Sequence, residues 1–117
     1  MSEEKISQEI KRFQEITMKI LIPMDVVINR IHRRETIREI YFALADSRER
    51  LIQFLNLKRI QEFVIINLQM NSFLNKIIKL DQDSEFTESE SLKLITMISE
   101  WRSMIYEAVV SMTKNGY

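Results

Sequence analysis

The stretch Phe63-Val-Ile-Ile-Asn-Leu-Gln-Met-Asn-Ser-Phe-Leu-Asn-Lys-Ile-Ile-Lys-Leu80 decides the fold class. Its apolar residues Phe63, Ile66, Met70, Phe73, Ile77 and Leu80 recur at alternating steps of three and four. That is the repeat of one helix face, whereas a half-buried strand alternates every second residue. The seam is of the kind that packs helix against helix in a bundle.

Working outward from this segment, the same spacing returns on both sides. Towards the N-terminus, Ile37, Ile40, Tyr41, Leu44, Leu51, Phe54 and Leu55 form a stripe that continues to a break around Asn56 to Lys58. Asp46-Ser47-Arg48-Glu49 has the composition of a helix start, but the stripe crosses it, so one helix is expected. Thr36-Ile37-Arg38-Glu39 has the spacing of a capping box at its beginning. Towards the C-terminus, Asp81 to Glu85 reads as a polar loop, and Thr87-Glu88-Ser89-Glu90 supplies a stronger capping box. Leu94, Ile98, Trp101, Ile105, Ala108 and Met112 then share one face, and Asn115-Gly116 is a stop signal.

The first segment sets Ile6, Ile10, Phe13, Thr17 and Ile20 on one face, with Ser2 as a cap and Glu3 and Glu4 at the positive end of the helix dipole. Pro23 removes a backbone donor and restricts Ile22, so the helix is expected to kink or end there. Apolar patterning resumes at Val26, Val27, Ile28 and Ile31. The cations of Arg30-Ile31-His32-Arg33-Arg34 suit a helix C-terminus. A kinked first helix ending near Arg34 is the favoured reading; the alternative is a turn at Pro23 and one helix from Met24 to about Asn56. The expected architecture is therefore all-α, an up-and-down antiparallel four-helix bundle with a Pro-kinked or Pro-broken first helix, formed by residues 1–117 as one domain.

Composition agrees. The 117 residues are 45% hydrophobic and 29% charged, which suits one globular core, and include one Gly and one Pro. Average usage would supply about a dozen of those two together. Phosphate-cradling loops, dinucleotide turns and nucleophile elbows all need glycine for close backbone approach, and none is built here in its usual form. A chain with no Cys and one His has no zinc-finger set, thiol nucleophile or His-His metal pair. No catalytic residue, cofactor or metal is expected. Helix capping accounts for the carboxylate pairs Glu3-Glu4 and Glu88-Glu90. Arg48 is the one cation near a seam, where a catalytic or small-molecule-binding bundle would need a polar cavity. The acidic opening Met1-Ser2-Glu3-Glu4 and the absence of any apolar run approaching a bilayer span lead to an expected cytoplasmic, intracellular protein with no membrane partner.

Two features point to partners. Phe63 to Asn75 carries no charge on any helix face, and Val64, Ile65 and Leu68 lie off the seam. The expected partner interface is Val64, Ile65, Leu68 and Asn71, with Asn67 and Gln69 offering uncharged hydrogen-bonding groups and the segment before Pro23 assisting. The competing reading has the long first helix cover these side chains. The second feature is the basic cluster Arg30, Arg33, Arg34 and Arg38 around His32, a candidate contact for an anion or nucleic acid. In the up-and-down order the loop carrying Asp81, Asp83, Glu85, Glu88 and Glu90 falls at the same end of the bundle, and pairing between the two charges is the alternative. Zero formal net charge argues against nucleic acid as the main partner. The sequence therefore points to a non-enzymatic protein–protein interaction module, an adaptor, chaperone-like protein or complex subunit, self-associating as a homodimer. Nucleic-acid-associated regulation is the alternative.

Overall fold

The computed structural model describes residues 17–57 and 60–114, together with the helical positions Gln8, Lys11, Arg12, Gln14 and Glu15; the side chains of 55–57 and 112–114 lie outside the description. A π-helical turn, Thr17–Leu21, runs directly into α1 (Ile22–His32). Helices α2 (Ile37–Leu57), α3 (Gln61–Ile77) and α4 (Glu88–Lys114) follow. The principal contacts run α1 to α2, α2 to α3, α3 to α4 and α4 back to α1, so the four helices close a ring. The Cα envelope of 54 × 23 × 19 Å fits this arrangement, its two short axes matching a two-by-two array of helices about 8–10 Å apart. The expected all-α four-helix bundle is the fold observed.

At Pro23 the chain stays helical, but the α-helix is interrupted just before it by the π turn. Leu21, just before α1, is itself helical at φ −74° and ψ −41°. Within a regular α-helix the pyrrolidine ring would clash with the carbonyl four residues back, which would also lose its donor. Widening Thr17–Leu21 into a π turn relieves that crowding, and π turns arise inside α-helices in this way. The inner stripe Ile20, Met24, Val27, Ile31 accordingly passes through the proline without interruption. The irregularity expected at Pro23 takes the form of this π turn, and the helix ends at His32.

The end of α1 explains how a chain without internal glycine turns. Arg34 N–H donates to Ile31 O at 3.0 Å and Glu35 N–H to Arg30 O at 3.2 Å. This is the Schellman pattern, and it requires a left-handed residue at the position after the cap. Arg34 occupies it at φ 57°, where glycine is the usual choice.

The seam of α2 is Ile37, Ile40, Leu44, Ser47 and Leu51, all buried, with Tyr41 and Phe54 packed beside it. The run Asp46 to Glu49 starts no new helix. In α3 the buried residues are Phe63, Ile66, Met70, Leu74 and Ile77. Here the expected seam needs correction: Leu74 takes the place given to Phe73, which is only partly buried, and Leu80 lies beyond the helix and is exposed. In α4 the expected face from Leu94 through Ala108 is buried, centred on Trp101. Fully burying one large apolar side chain contributes roughly 1.5–3 kcal/mol, and these residues, with Ala43 and Val109, form one continuous core. Ser2, Glu3, Glu4, Ile6, Ile10, Phe13, Asn115 and Gly116 fall outside the described residues, as do the side chains of Leu55 and Met112.

The connection between α3 and α4 is a structured plug. Gln82 Nε2 donates to Ile77 O and Leu80 O, both at 2.9 Å, closing the C-terminus of α3. Asp81 Oδ1 accepts from Asp83 N–H at 3.1 Å, the hydrogen bond of an Asx turn. The capping box at the start of α4 forms in full: Thr87 N–H donates to Glu90 Oε1 at 2.9 Å, and Glu90 N–H donates to Thr87 Oγ1 at 3.1 Å. Two donors that a helix start leaves open are thereby satisfied.

Candidate functional site

Helix α3 buries the stripe that starts at Phe63 and turns Val64, Ile65 and Leu68 outward, where Leu68 is 62% exposed. Its neighbours in the ring are α2 and α4, so α1 does not cover this face among the described residues. Asn71 is half-buried at its edge. The two other polar groups expected to serve a partner are engaged internally. Asn67 Oδ1 accepts from Arg48 Nε of α2 at 3.0 Å, and Gln69 Oε1 accepts from Trp101 Nε1 of α4 at 2.6 Å. The outward face keeps its apolar side chains and no charge from Phe63 to Asn75.

Arg48 is thus tied to α3, and it lines none of the principal clefts. The adjacent Ser47 is completely buried and its hydroxyl has no hydrogen-bond partner among the described residues. Sequence reasoning passed over Ser47 because the apolar stripe runs on either side of it.

The basic cluster is divided. Arg38 Nη1 reaches Asp83 Oδ1 at 2.7 Å, joining the start of α2 to the plug. Arg30 sits 3.9 Å from Glu35 and donates from Nη1 to Glu39 O at 3.1 Å. Arg33 and Arg34 are exposed and hold no ion pair among the described residues. The α1–α2 link and the plug do meet at one end: Ile37 N–H donates to Ser84 O at 2.9 Å and Arg38 N–H to Gln82 O at 3.1 Å. Exposed His32 borders a 530 Å³ cleft there, alongside Arg34, Glu35, Glu85 and Glu88, over a floor that includes Ile31 and Phe86. Among the described residues no His, Asp and Glu side chains are grouped to hold a metal ion, and no helix is long and apolar enough to cross a membrane.

The segment before Pro23, expected to assist association, forms a second apolar surface together with residues beyond the proline and on α2. Met18 and Phe42 are 67% and 61% exposed, and with Ile22, Pro23 and Val26 they line a 340 Å³ groove between α1 and α2. Met18, Ile22 and Val26 follow one another at steps of four, a signal present in the sequence. A helix assumed to kink at Pro23 offers no continuous face across it, so the pattern was not joined.

Comparison of the chain with protein-family models, curated proteins and solved structures finds no match in any of the three.

Proposed function

We propose that this chain is a non-enzymatic protein–protein interaction module that self-associates through its helical surfaces. The observation that carries the reading is the outer face of α3. Leu68 stands 62% exposed beside Val64 and Ile65 on a helix face without charge, while the polar groups of Asn67 and Gln69 are turned to the bundle itself. A contiguous apolar surface of this kind favours burial against another protein.

Association with nucleic acid through Arg30, Arg33, Arg34 and Arg38 draws less support. Two of these four already face Glu35 and Asp83, and phosphate neutralisation relies on cations free to replace counterions.

Light scattering across a concentration series tests the proposal, with Ile65→Lys and Leu68→Glu measured beside the wild type. Concentration-dependent mass that either substitution lowers supports it. A strict monomer at high micromolar concentration, with both substitutions leaving all partner binding intact, overturns it.

A further inference from the structure

We infer that the outer face of α3 is the seam of an isologous dimer, in which α3 of one copy lies antiparallel to α3 of a second copy about a two-fold axis level with Gln69. The inference rests on the self-association proposed above and specifies its orientation and register.

The occupant follows from the charges that border the apolar face. Glu62, Gln69 and Lys76 are exposed and stand seven residues apart, so they run down one edge of α3 as an acid, a neutral side chain and a base. The helix dipole favours an acid in the first turn and a base in the last, but it does not require both on the same edge. Glu62 and Lys76 hold no ion pair among the described residues, and no charged residue lies between them. Reversing α3 about Gln69 sets Glu62 level with the second copy's Lys76, and the pairing occurs twice. A two-fold axis perpendicular to the helices also keeps like edges together, so acid and base meet on the same side of the seam. Self-complementarity of this kind is what an isologous interface demands, because one patch must serve both sides. The parallel alternative sets Glu62 against Glu62 and Lys76 against Lys76, and like charges brought together oppose association. Charges that flank an apolar seam between helices set its orientation in this way.

The apolar residues fit the same register. Leu68, the most exposed of them, stands one residue from the axis and meets its own copy there. Ile65 falls within one residue of the level of the second copy's Ser72, a small exposed side chain that leaves room for it. Val64 falls within one residue of the level of the second copy's Asn75, which is exposed and uncharged. The seam therefore covers all three apolar side chains and places its charges at the two ends, in solvent.

The absence of cysteine makes the test clean. Positions 62 and 76 of one copy lie about 21 Å apart along the helix, at about 1.5 Å per residue, whereas a disulfide needs Cα atoms within about 7 Å. A bond between them must therefore join two copies. The double variant Glu62→Cys with Lys76→Cys and each single variant are oxidised at equal concentration and read on a non-reducing gel. The expected result is at least tenfold more covalent dimer from the double variant than from either single one. Cross-linking of a single variant to the same extent marks a parallel seam or random collision and overturns the inference. No covalent dimer from the double variant, with concentration-dependent mass still seen by light scattering, overturns this register and leaves the proposed function standing. A strict monomer removes both.

A charge exchange gives an independent readout. Glu62→Lys is expected to raise the dimer dissociation constant about tenfold at low salt, and adding Lys76→Glu to restore it, with melting curves confirming that each variant folds. No weakening by Glu62→Lys, or no recovery in a folded double variant, overturns the antiparallel register.

Discussion

Trp101 Nε1 donates to Gln69 Oε1 at 2.6 Å, so the largest buried side chain of α4 is held by an exposed residue of α3. The indole N–H is a donor without an alternative partner among the described residues. Gln69→Leu should therefore leave it unsatisfied in a buried position and destabilise the fold by about 1–2 kcal/mol. Urea unfolding followed by the fluorescence of this sole tryptophan measures it, and an unchanged midpoint would show that water replaces the amide.

Arg34 turns the chain in a left-handed conformation that costs a non-glycine residue about 1 kcal/mol. Arg34→Gly is expected to stabilise the protein by roughly that amount, because the Schellman hydrogen bonds at the end of α1 remain available to any residue. Thermal melting should show a rise of roughly 4 °C for a domain of this size. A fall would mean that the Arg34 side chain contributes more than its backbone strain costs.

Ser47 presents the opposite case, a polar group where an apolar one would fit. Its buried hydroxyl lacks a partner among the described residues, and Ser47→Ala removes that penalty while improving helix propensity at the centre of α2. Stabilisation of about 1 kcal/mol is expected by chemical denaturation. A clear loss of stability would instead reveal a hydrogen bond formed through an internal water.

Glu90 has a carboxyl that its surroundings make more acidic than usual. The Thr87 backbone N–H and then the Thr87 hydroxyl hold its carboxyl below the ordinary value of 4.5, with a smaller contribution from Lys93. A depressed folded-state value means that this contribution is fully present above about pH 4.5 and disappears as the pH falls through the folded value. Thr87→Ala should therefore flatten the acid limb of stability below pH 4.5 and lower the plateau above it. Melting temperatures from pH 3 to pH 7 decide the matter, and parallel curves for the two proteins would count against the capping box as the cause.

Arg38 and Asp83 are both more than half exposed, so their 2.7 Å contact is expected to contribute less than about 1 kcal/mol and to weaken with salt. A double-mutant cycle with Arg38→Ala and Asp83→Ala, run at low and high ionic strength, measures the coupling. A large, salt-independent coupling would show that the pair organises the plug beyond its own attraction.

How far the fold could be read in advance varies with the kind of signal. Apolar repeats place Ile40, Leu44, Ile66, Ile98 and Trp101 correctly because a buried stripe must follow the helix period. The Thr87–Glu90 box was visible because its chemistry is local. Phe73 was misplaced because Leu74, one residue on, suits the repeat nearly as well, and only the facing helices decide between them. Asn67 and Gln69 were assigned to a partner because polarity alone does not show that their side chains reach Arg48 and Trp101. The π turn at Thr17–Leu21 left no mark that a periodicity reading recognises, and with it went the groove of Met18, Ile22 and Phe42.

The carbonyls of Gln82 and Ser84 receive the first amides of α2, although most of α2 and all of α3 separate them along the chain. Hydrogen exchange at Ile37 and Arg38 is consequently governed by a remote connection. These two amides gain protection only after the chain has passed through α3 and folded back, and they lose it when the plug opens. A proteolytic nick near Ser84 would be felt first at the beginning of α2, which makes that helix end a built-in reporter of whether the whole ring is closed.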